Sequence, residues 1–264
     1  MIAAADAEDS PMRHFSVGGR SSDAHNTSLP SAVVADPAIH AAIEPARAPF
    51  LVAHRAGNQL ERLRSTEAEG LGAVVEADVN LFRGRLEIHH MKTVGPLPLL
   101  SNRWELAPPW RPRLLLAELL DAAAPTTELM LDLKGRNRRL ANLVIEALEP
   151  YLGSRRLTVC ARSWPLLEAF EGLPVRRVHS VGTARQLRAL IRHARGARIE
   201  GVSIHERLLD LGAVTELRRL SAVVMTWPVN DLPRAAELAQ LGVDGLISDR
   251  PALISGLVAS EATA

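Results

Sequence analysis

Two short segments decide the predicted fold, residues 74–79 (Val-Val-Glu-Ala-Asp-Val) and residues 129–134 (Leu-Met-Leu-Asp-Leu-Lys). They belong to two strand candidates, 73–79 and 128–134. Both are short apolar runs with charged residues towards the C-terminal end, as in strands buried between helices. The same pattern predicts six further strands, at 50–55, 157–161, 176–180, 201–205, 222–227 and 245–248.

Stretches with helical periodicity separate these strands, including 112–124, 184–195 and 232–241. Strands that alternate with helices are typical of α/β proteins with a parallel sheet. Eight such units predict a (β/α)8 TIM barrel, formed as a single domain by residues 49–258. An open doubly wound sheet is the alternative, but no Gly-rich dinucleotide or Walker motif supports it.

The regions outside the barrel strands lead to two further expectations. Residues 1–48 have no periodic apolar face, which predicts a disordered N-terminal tail. Residues 86–90 follow Gly84 closely, which predicts a short hairpin strand at the barrel mouth.

The composition excludes several classes of protein. The chain has 264 residues, of which 47% are hydrophobic, and a formal net charge of +1. Such a balanced charge argues against a nucleic-acid partner. The single cysteine, Cys160, cannot form an intramolecular disulfide, and no apolar run is long enough for a transmembrane helix. The acidic N-terminus does not resemble a signal peptide, so we expect a cytoplasmic protein. The sequence does not indicate an oligomeric state.

Strand alternation brings three carboxylates together. Side chains two apart in a strand share a face, so Glu76 and Asp78 point the same way, and so do Asp132 and Lys134. In a barrel these side chains face the axis near the C-terminal mouth. Carboxylates that converge in this way repel each other unless a cation neutralises them, and oxygen ligands suit Mg²⁺ or Ca²⁺. Glu76, Asp78 and Asp132 are therefore the predicted metal ligands.

Histidines and cations follow the same strand ends. His54 and His90 are candidates for acid–base catalysis, because an imidazole can take and give a proton near neutral pH. Arg55 and Lys134 are candidates for phosphate binding. Lys134 is notable because the chain has only two lysines. His90 shares the parity of Leu86 and Ile88, so it should point over the mouth, whereas His89 should point into solvent with Glu87.

These residues together resemble the glycerophosphodiester phosphodiesterase family, whose fold is a (β/α)8 barrel. The similar segments cover roughly residues 50–255, and they are His54-Arg55, Glu76-Ala77-Asp78-Val79, His90, Asp132-Leu133-Lys134, Thr226-Trp227-Pro228-Val229-Asn230 and the run from Gly242 to Pro251.

The resemblance implies a role for each matching residue. The two histidines would be the acid–base pair, the three carboxylates would hold a divalent metal, and Arg55 and Lys134 would bind phosphate. Trp227 would form an aromatic wall against the substrate, with Asn230 nearby. A neighbouring hydroxyl of the substrate would attack phosphorus. The implied protein is a phosphoric diester hydrolase of lipid metabolism that cleaves small-molecule glycerophosphodiesters into an alcohol and glycerol phosphate.

The sequence departs from the family pattern at three places. The segment 57–61 stands where the family has Pro-Glu-Asn-Thr, Met91 follows the hairpin histidine in place of Asp, and Asp132 replaces the usual Glu. The Asp-x-Lys motif also resembles sphingomyelinase D-type lipases. Two alternatives therefore stay open: a phospholipase D-like lyase acting on lysophospholipids, and a non-catalytic barrel that binds phosphodiesters.

Overall fold

The computed structural model describes residues 48–93, 100–101, 106–107 and 112–260. The predicted tail, residues 1–48, lies outside these residues except for its last position. In chain order the described strands are β1 (Phe50–Ala53), β2 (Val74–Phe82), β3 (Arg85–Ile88), β4 (Lys92–Thr93), β5 (Leu100–Ser101), β6 (Leu106–Ala107), β7 (Leu114–Leu115), β8 (Leu129–Lys134), β9 (Leu157–Ala161), β10 (Arg176–Val181), β11 (Gly201–His205), β12 (Val224–Trp227) and β13 (Gly245–Ser248).

Eight of these strands form a closed parallel barrel. Their order is β1-β13-β12-β11-β10-β9-β8-β2, and β2 pairs with β1 to close the ring. The (β/α)8 prediction is therefore confirmed, and all eight predicted strands are present. Closure excludes the open doubly wound alternative, because an open sheet leaves two edge strands unpaired.

Helices cover the outside of the barrel. They are α1 (Leu60–Ala68), α2 (Leu116–Ala122), α3 (Arg138–Leu148), α4 (Ala184–Ala194), α5 (Leu211–Leu220), α6 (Leu232–Gln240) and α7 (Pro251–Ser260), with a 3-10 helix at Trp164–Phe170 between β9 and β10. None of the described helices is long and apolar enough to cross a membrane.

The predicted helix over 112–124 is wrong in its first part. Leu114 and Leu115 form strand β7, which pairs with the free edge of β3, and α2 begins only at Leu116. The backbone N–H of Leu115 donates to the Glu118 carboxylate at 2.7 Å, which caps the helix at this point. The apolar pattern could not reveal this boundary because leucine suits both a strand and a helix.

The hairpin strand is also present. β3 returns antiparallel to β2 from Arg85 to Ile88, so the prediction of a hairpin is confirmed, although the strand ends two residues earlier than expected. β4, β5 and β6 pair antiparallel in a separate three-stranded sheet.

The lower part of the barrel interior is apolar. Seven buried side chains form one cluster there, Val52, Val74, Met130, Cys160, Val178, Met225 and Ile247. Gly245 leaves room for this cluster, since a Cβ at that position would lie 2.7 Å from the Phe50 ring and 2.8 Å from the Met225 side chain. We call this cluster the barrel floor. It closes the interior below the polar strand ends.

Candidate active site

Three carboxylates converge above the barrel floor. The register between β2 and β8 places Asp78 beside Asp132, and Glu76 lies two residues before Asp78 on the same face. One carboxylate oxygen from each residue lies within 4.8 Å of the others. Glu76 and Asp78 are buried. This set of hard oxygen donors can hold a divalent ion.

Lys134 neutralises part of this acidic cluster. Its Nζ lies 2.5 Å from Asp78 Oδ1 and also contacts the Asp132 carboxylate. The strand ends two residues beyond Asp132, so Lys134 stays on the inward face, as the sequence predicted. A long flexible side chain can reach both carboxylates from that position.

Burial and charge shift the pKa of each of these groups. Burial, together with the neighbouring Asp78 and Asp132 charges, raises the pKa of Glu76 well above its usual range, and burial also raises the pKa of Asp132. Burial would raise the pKa of Asp78 too, but hydrogen bonds with His90 and Lys134 and the Lys134 charge outweigh it and lower that pKa. The carboxylates thus differ in how readily they ionise, which is typical of functional sites.

The loop after β1 supports the cluster from one side. Arg55 adopts a left-handed backbone conformation with φ of 57°, and its N–H donates to Glu76 Oε2 at 2.6 Å. Asn58 makes two hydrogen bonds with Asp78: its amide donates to Oδ2 at 2.8 Å, and its carbonyl oxygen accepts from the Asp78 N–H at 2.8 Å. A Cβ on Gly57 would lie 2.8 Å from that of Ala77, so glycine lets this loop approach β2.

Sequence reasoning missed Asn58, although it lies within the segment that departs from the family pattern. The short loop supplies both the two hydrogen bonds between Asn58 and Asp78 and the hydrogen bond from the Arg55 N–H to Glu76. The absence of Pro-Glu-Asn-Thr therefore does not leave the carboxylates unsupported.

His90 points over the mouth, as predicted from strand parity. Its Nδ1 lies 3.1 Å from Asp78 Oδ2, and its Nε2 lies 3.1 Å from the Arg55 guanidinium. The carboxylate accepts and the guanidinium donates, so of the two tautomers these partners favour the one with its proton on Nδ1. The side chain is 49% exposed. It can therefore meet a ligand that enters the mouth.

His54 is held from the opposite end of the chain. Its Nδ1 lies 2.8 Å from Asp249 Oδ1, and the Asn230 amide donates to Asp249 Oδ2 at 3.0 Å. Burial and the Arg55 charge lower the pKa of His54, while Asp249 opposes this shift. The Asn230 carbonyl oxygen accepts bonds from the Asp249 N–H and the Ser248 hydroxyl. Asn230 thus fixes the aspartate that orients His54.

His89 does not point into solvent, so that prediction is wrong. Its side chain is only 10% exposed, and its Nδ1 donates to the Met91 carbonyl at 2.7 Å. Glu87 is buried on the same side and accepts a 2.7 Å hydrogen bond from Arg113. The strand parity was right, but β7 pairs along the free edge of β3 and brings Arg113 to Glu87. The sequence did not show this pairing.

Trp227 and Arg162 complete the site. Both line a small cavity of about 90 Å³, together with His54, Arg55, Glu76, His90, Met130, Asp132, Lys134, Cys160, Ser180, Ser203 and Ile247. The Arg162 guanidinium lies over the Trp227 ring, 5.3 Å from its centroid. Arg162 was not predicted, although it has the inward parity of Thr158 and Cys160 at the end of β9. That parity was the sequence feature from which Arg162 could have been predicted as a site residue.

The structure therefore brings eight of the nine predicted site residues to the lining of this cavity or to the carboxylate cluster. Asn230 is the exception, because its amide contacts Asp249 and Ser248 behind His54.

Several solved structures share this barrel. A phosphodiesterase from Oleispira antarctica, in complex with the product sn-glycerol-3-phosphate, is 21% identical with a TM-score of 0.65, and the match covers 80% of this chain and 97% of that one. A glycerophosphodiester phosphodiesterase from Thermotoga maritima is 19% identical with a TM-score of 0.61, over 79% and 98% of the two chains. One from Parabacteroides distasonis is 19% identical with a TM-score of 0.62, over 82% and 99%.

These similarities establish the fold. No protein-family model and no curated protein sequence matches the chain.

Proposed function

We propose that this chain is a metal-dependent phosphodiesterase that hydrolyses glycerophosphodiesters to an alcohol and glycerol phosphate. The observation that carries the proposal is one small cavity lined by two imidazoles, three cationic side chains and part of a three-carboxylate cluster. Two features support it further: the activity named for the structural neighbours, and the product bound in the Oleispira antarctica enzyme.

The metal site in this proposal consists of Glu76, Asp78 and Asp132. The donor set fits a hard divalent ion, because buried carboxylates this close together need positive charge. A bound ion would polarise the phosphoryl oxygens and stabilise the charge that develops on them. Lys134 lies against two of the same carboxylates, so its ammonium is placed to share that task. Mg²⁺ and Ca²⁺ both suit such a site.

The two histidines are the proposed acid–base pair. Asp249 accepts from His54 Nδ1, and Asp78 accepts from His90 Nδ1. In both histidines the carboxylate bonds Nδ1, so Nε2 is the ring nitrogen that would exchange protons with the substrate. One imidazole would accept the proton of the glycerol hydroxyl that attacks phosphorus, and the other would donate a proton to the leaving alcohol oxygen. Water would then open the resulting cyclic phosphate, with the two imidazoles in exchanged roles, and give glycerol phosphate. Arg55, Arg162 and Trp227 would hold the phosphodiester between them.

A panel of phosphodiesters tests this function. Purified protein is incubated with glycerophosphocholine, glycerophosphoglycerol and a lysophosphatidylcholine, with Mg²⁺ or Ca²⁺ and again with excess EDTA. We expect metal-dependent release of glycerol phosphate from the first two compounds. Formation of a cyclic phosphate from the lysophospholipid, with no product from the other two compounds, would favour the phospholipase D-like lyase. Thermal stabilisation by the diesters without any product would favour a binding protein.

A further inference from the structure

A second and larger cavity adjoins the small one. It has a volume of about 520 Å³ and shares four lining residues with the small cavity, His90, Asp132, Lys134 and Arg162. The small cavity, at about 90 Å³, leaves no room for a whole diester. The larger one lies in the range of roughly 300–1,000 Å³ typical of ligand pockets. A diester whose phosphorus lies near the histidines can therefore extend one of its alcohol groups into the larger cavity.

The lining of the larger cavity is positively charged. Arg136 and Arg162 both line it and both are exposed. Within the described part of the chain, neither guanidinium forms a hydrogen bond or an ion pair with another side chain. Asp132 is the acidic side chain of this lining, and Lys134 already contacts it. Since the proposed function assigns Arg162 to the scissile phosphodiester, the Arg136 guanidinium is left to bind a second anion.

The two arginines lie at different depths. Arg162 lines both cavities and its guanidinium lies over the Trp227 ring, so in the proposed function it lies beside the scissile phosphate. Arg136 lines only the larger cavity. Leu81 and Met91 add partly exposed apolar surface to the same wall, which suits a carbon skeleton between the two charges.

We infer that the larger cavity binds the leaving alcohol and selects one that carries a second negatively charged group, a phosphate or a carboxylate. This inference rests on the proposed phosphodiesterase function. Arg136 would be the specificity-determining residue, since a guanidinium forms paired, charge-assisted hydrogen bonds with either anion. A cationic alcohol such as choline would be the least favoured, because it would lie beside the positively charged Arg136 guanidinium.

Two substrates that differ by one phosphate test the inference. Glycerophosphoinositol and glycerophosphoinositol 4-phosphate have the same scissile bond, and only the second has the additional anion. With metal at saturation, we expect kcat/KM to be at least about tenfold higher for the phosphorylated substrate, as one charge-assisted contact provides. In Arg136→Gln this ratio should fall below about threefold.

Arg138→Gln is the matched control. Arg138 is an exposed arginine two residues further on, paired with Glu168, and it does not line the cavity. Its substitution should leave the tenfold ratio unchanged. An equal loss of the ratio in both variants would mean that general surface charge, rather than Arg136, is responsible, and would overturn the assignment.

Binding to a His54→Ala variant separates this inference from the proposed function. Both diesters are titrated into that variant by calorimetry in the presence of Ca²⁺. Tighter binding of the phosphorylated diester, without turnover by the wild type, would overturn the phosphodiesterase and leave the anion cavity supported. Turnover of both diesters at equal kcat/KM would support the phosphodiesterase and overturn the anion cavity.

Discussion

The floor and the mouth of the barrel are built from the same strands with the same inward parity, yet they differ in chemistry. On β2 the inward residues run from Val74 to Glu76 and Asp78, and on β8 they run from Met130 to Asp132. The floor is an apolar cluster, whereas the mouth is a buried set of charges. One step of two residues along a strand separates the two environments.

The difference shows that the floor stabilises the folded protein, whereas the mouth carries groups suited to catalysis at a cost in stability. Burying an apolar side chain at the floor stabilises the folded state by about 1.5–3 kcal/mol. At the mouth, burial raises the pKa of Glu76 and Asp132, so their charged forms are less favourable here than in water. We therefore expect substitutions at the floor to cost stability and neutralising substitutions at the mouth to cost function.

The largest expected effect concerns the mouth histidines. His54→Ala and His90→Ala should each lower kcat by about 10²–10⁴-fold, the usual contribution of a general acid or base. Metal binding, measured by calorimetry, should persist in both, because neither residue belongs to the carboxylate cluster, but it should be weaker in His90→Ala because His90 donates to Asp78. His89→Ala is the matched control. His89 is nearly buried and contacts Met91 and Glu87, so its loss should lower thermal stability and leave kcat within a few-fold of wild type.

A large loss of kcat in His89→Ala, with His90→Ala nearly as active as wild type, would contradict this assignment. The two histidines would then have exchanged the roles that their contacts assign to them.

The second effect is on metal affinity. Glu76→Gln and Asp78→Asn should each weaken binding of Mg²⁺ or Ca²⁺ by at least about 100-fold, since even partners outside the ligand shell contribute about 10–100-fold. The two variants should differ in metal-free stability. Glu76→Gln removes a repelling charge and keeps an oxygen for the Arg55 N–H, so the free energy of unfolding should not fall. Asp78→Asn should reduce it, because Lys134 and His90 lose their shared partner.

Chemical denaturation of both proteins in EDTA measures this difference. If Glu76→Gln were as destabilised as Asp78→Asn, the mouth would be a structural charge network like any other buried ion pair.

The third effect belongs to the floor. Met130→Ala should lower the free energy of unfolding by about 2–5 kcal/mol through the cavity that it leaves. Metal affinity should stay within a few-fold of wild type, although Met130 lies only two residues before Asp132 on the same face. A loss of metal binding as large as that in Glu76→Gln would show that floor and mouth are not separable.

The smallest effect comes from a histidine outside both regions. His179 is nearly buried on the helix side of β10, beside His193 and Trp164, and burial, with the His193 charge, lowers its pKa to about 4. The unfolded chain binds this proton near pH 6.5, before the folded one does. The contribution of His179 to the free energy of unfolding is therefore complete above pH 6.5, and it is lost as the pH falls from 6.5 towards 4.

Between pH 8 and pH 5.5 this loss amounts to roughly 1 kcal/mol. Denaturation curves at both pH values should show a drop in stability that is smaller by this amount in His179→Gln than in wild type. Arg177 and Glu200 act on the same histidine and are present in both proteins. Equal drops in both proteins would mean that His179 is already charged in the folded state.

Much of the fold followed from local patterns. The eight strands were predictable because each is a short apolar run between helical stretches, and barrel closure then followed from their number. The boundary of α2 was not predictable, since Leu114 and Leu115 join a strand only because β3 offers them an edge.

The site, too, has features that the sequence could predict and features that it could not. The convergence of Glu76, Asp78 and Asp132 followed from parity within two strands. The hydrogen bond between His54 and Asp249 joins residues 195 positions apart. The hydrogen bonds between Asn58 and Asp78 depend on a loop that folds back onto β2. No local pattern encodes such contacts, because they depend on which strands become neighbours when the barrel closes.

The central claim is that the carboxylates of the mouth hold a metal on which phosphodiester cleavage depends. The most direct test is the initial rate of glycerophosphodiester hydrolysis by EDTA-treated wild-type protein as Mg²⁺ or Ca²⁺ is added back, with Glu76→Gln measured in parallel. We expect the wild-type rate to rise from near zero to a plateau, at half-saturation near the metal Kd from calorimetry, and the variant to need at least about 100-fold more metal. A wild-type rate that EDTA leaves unchanged, or identical metal dependence in the two proteins, would contradict the account.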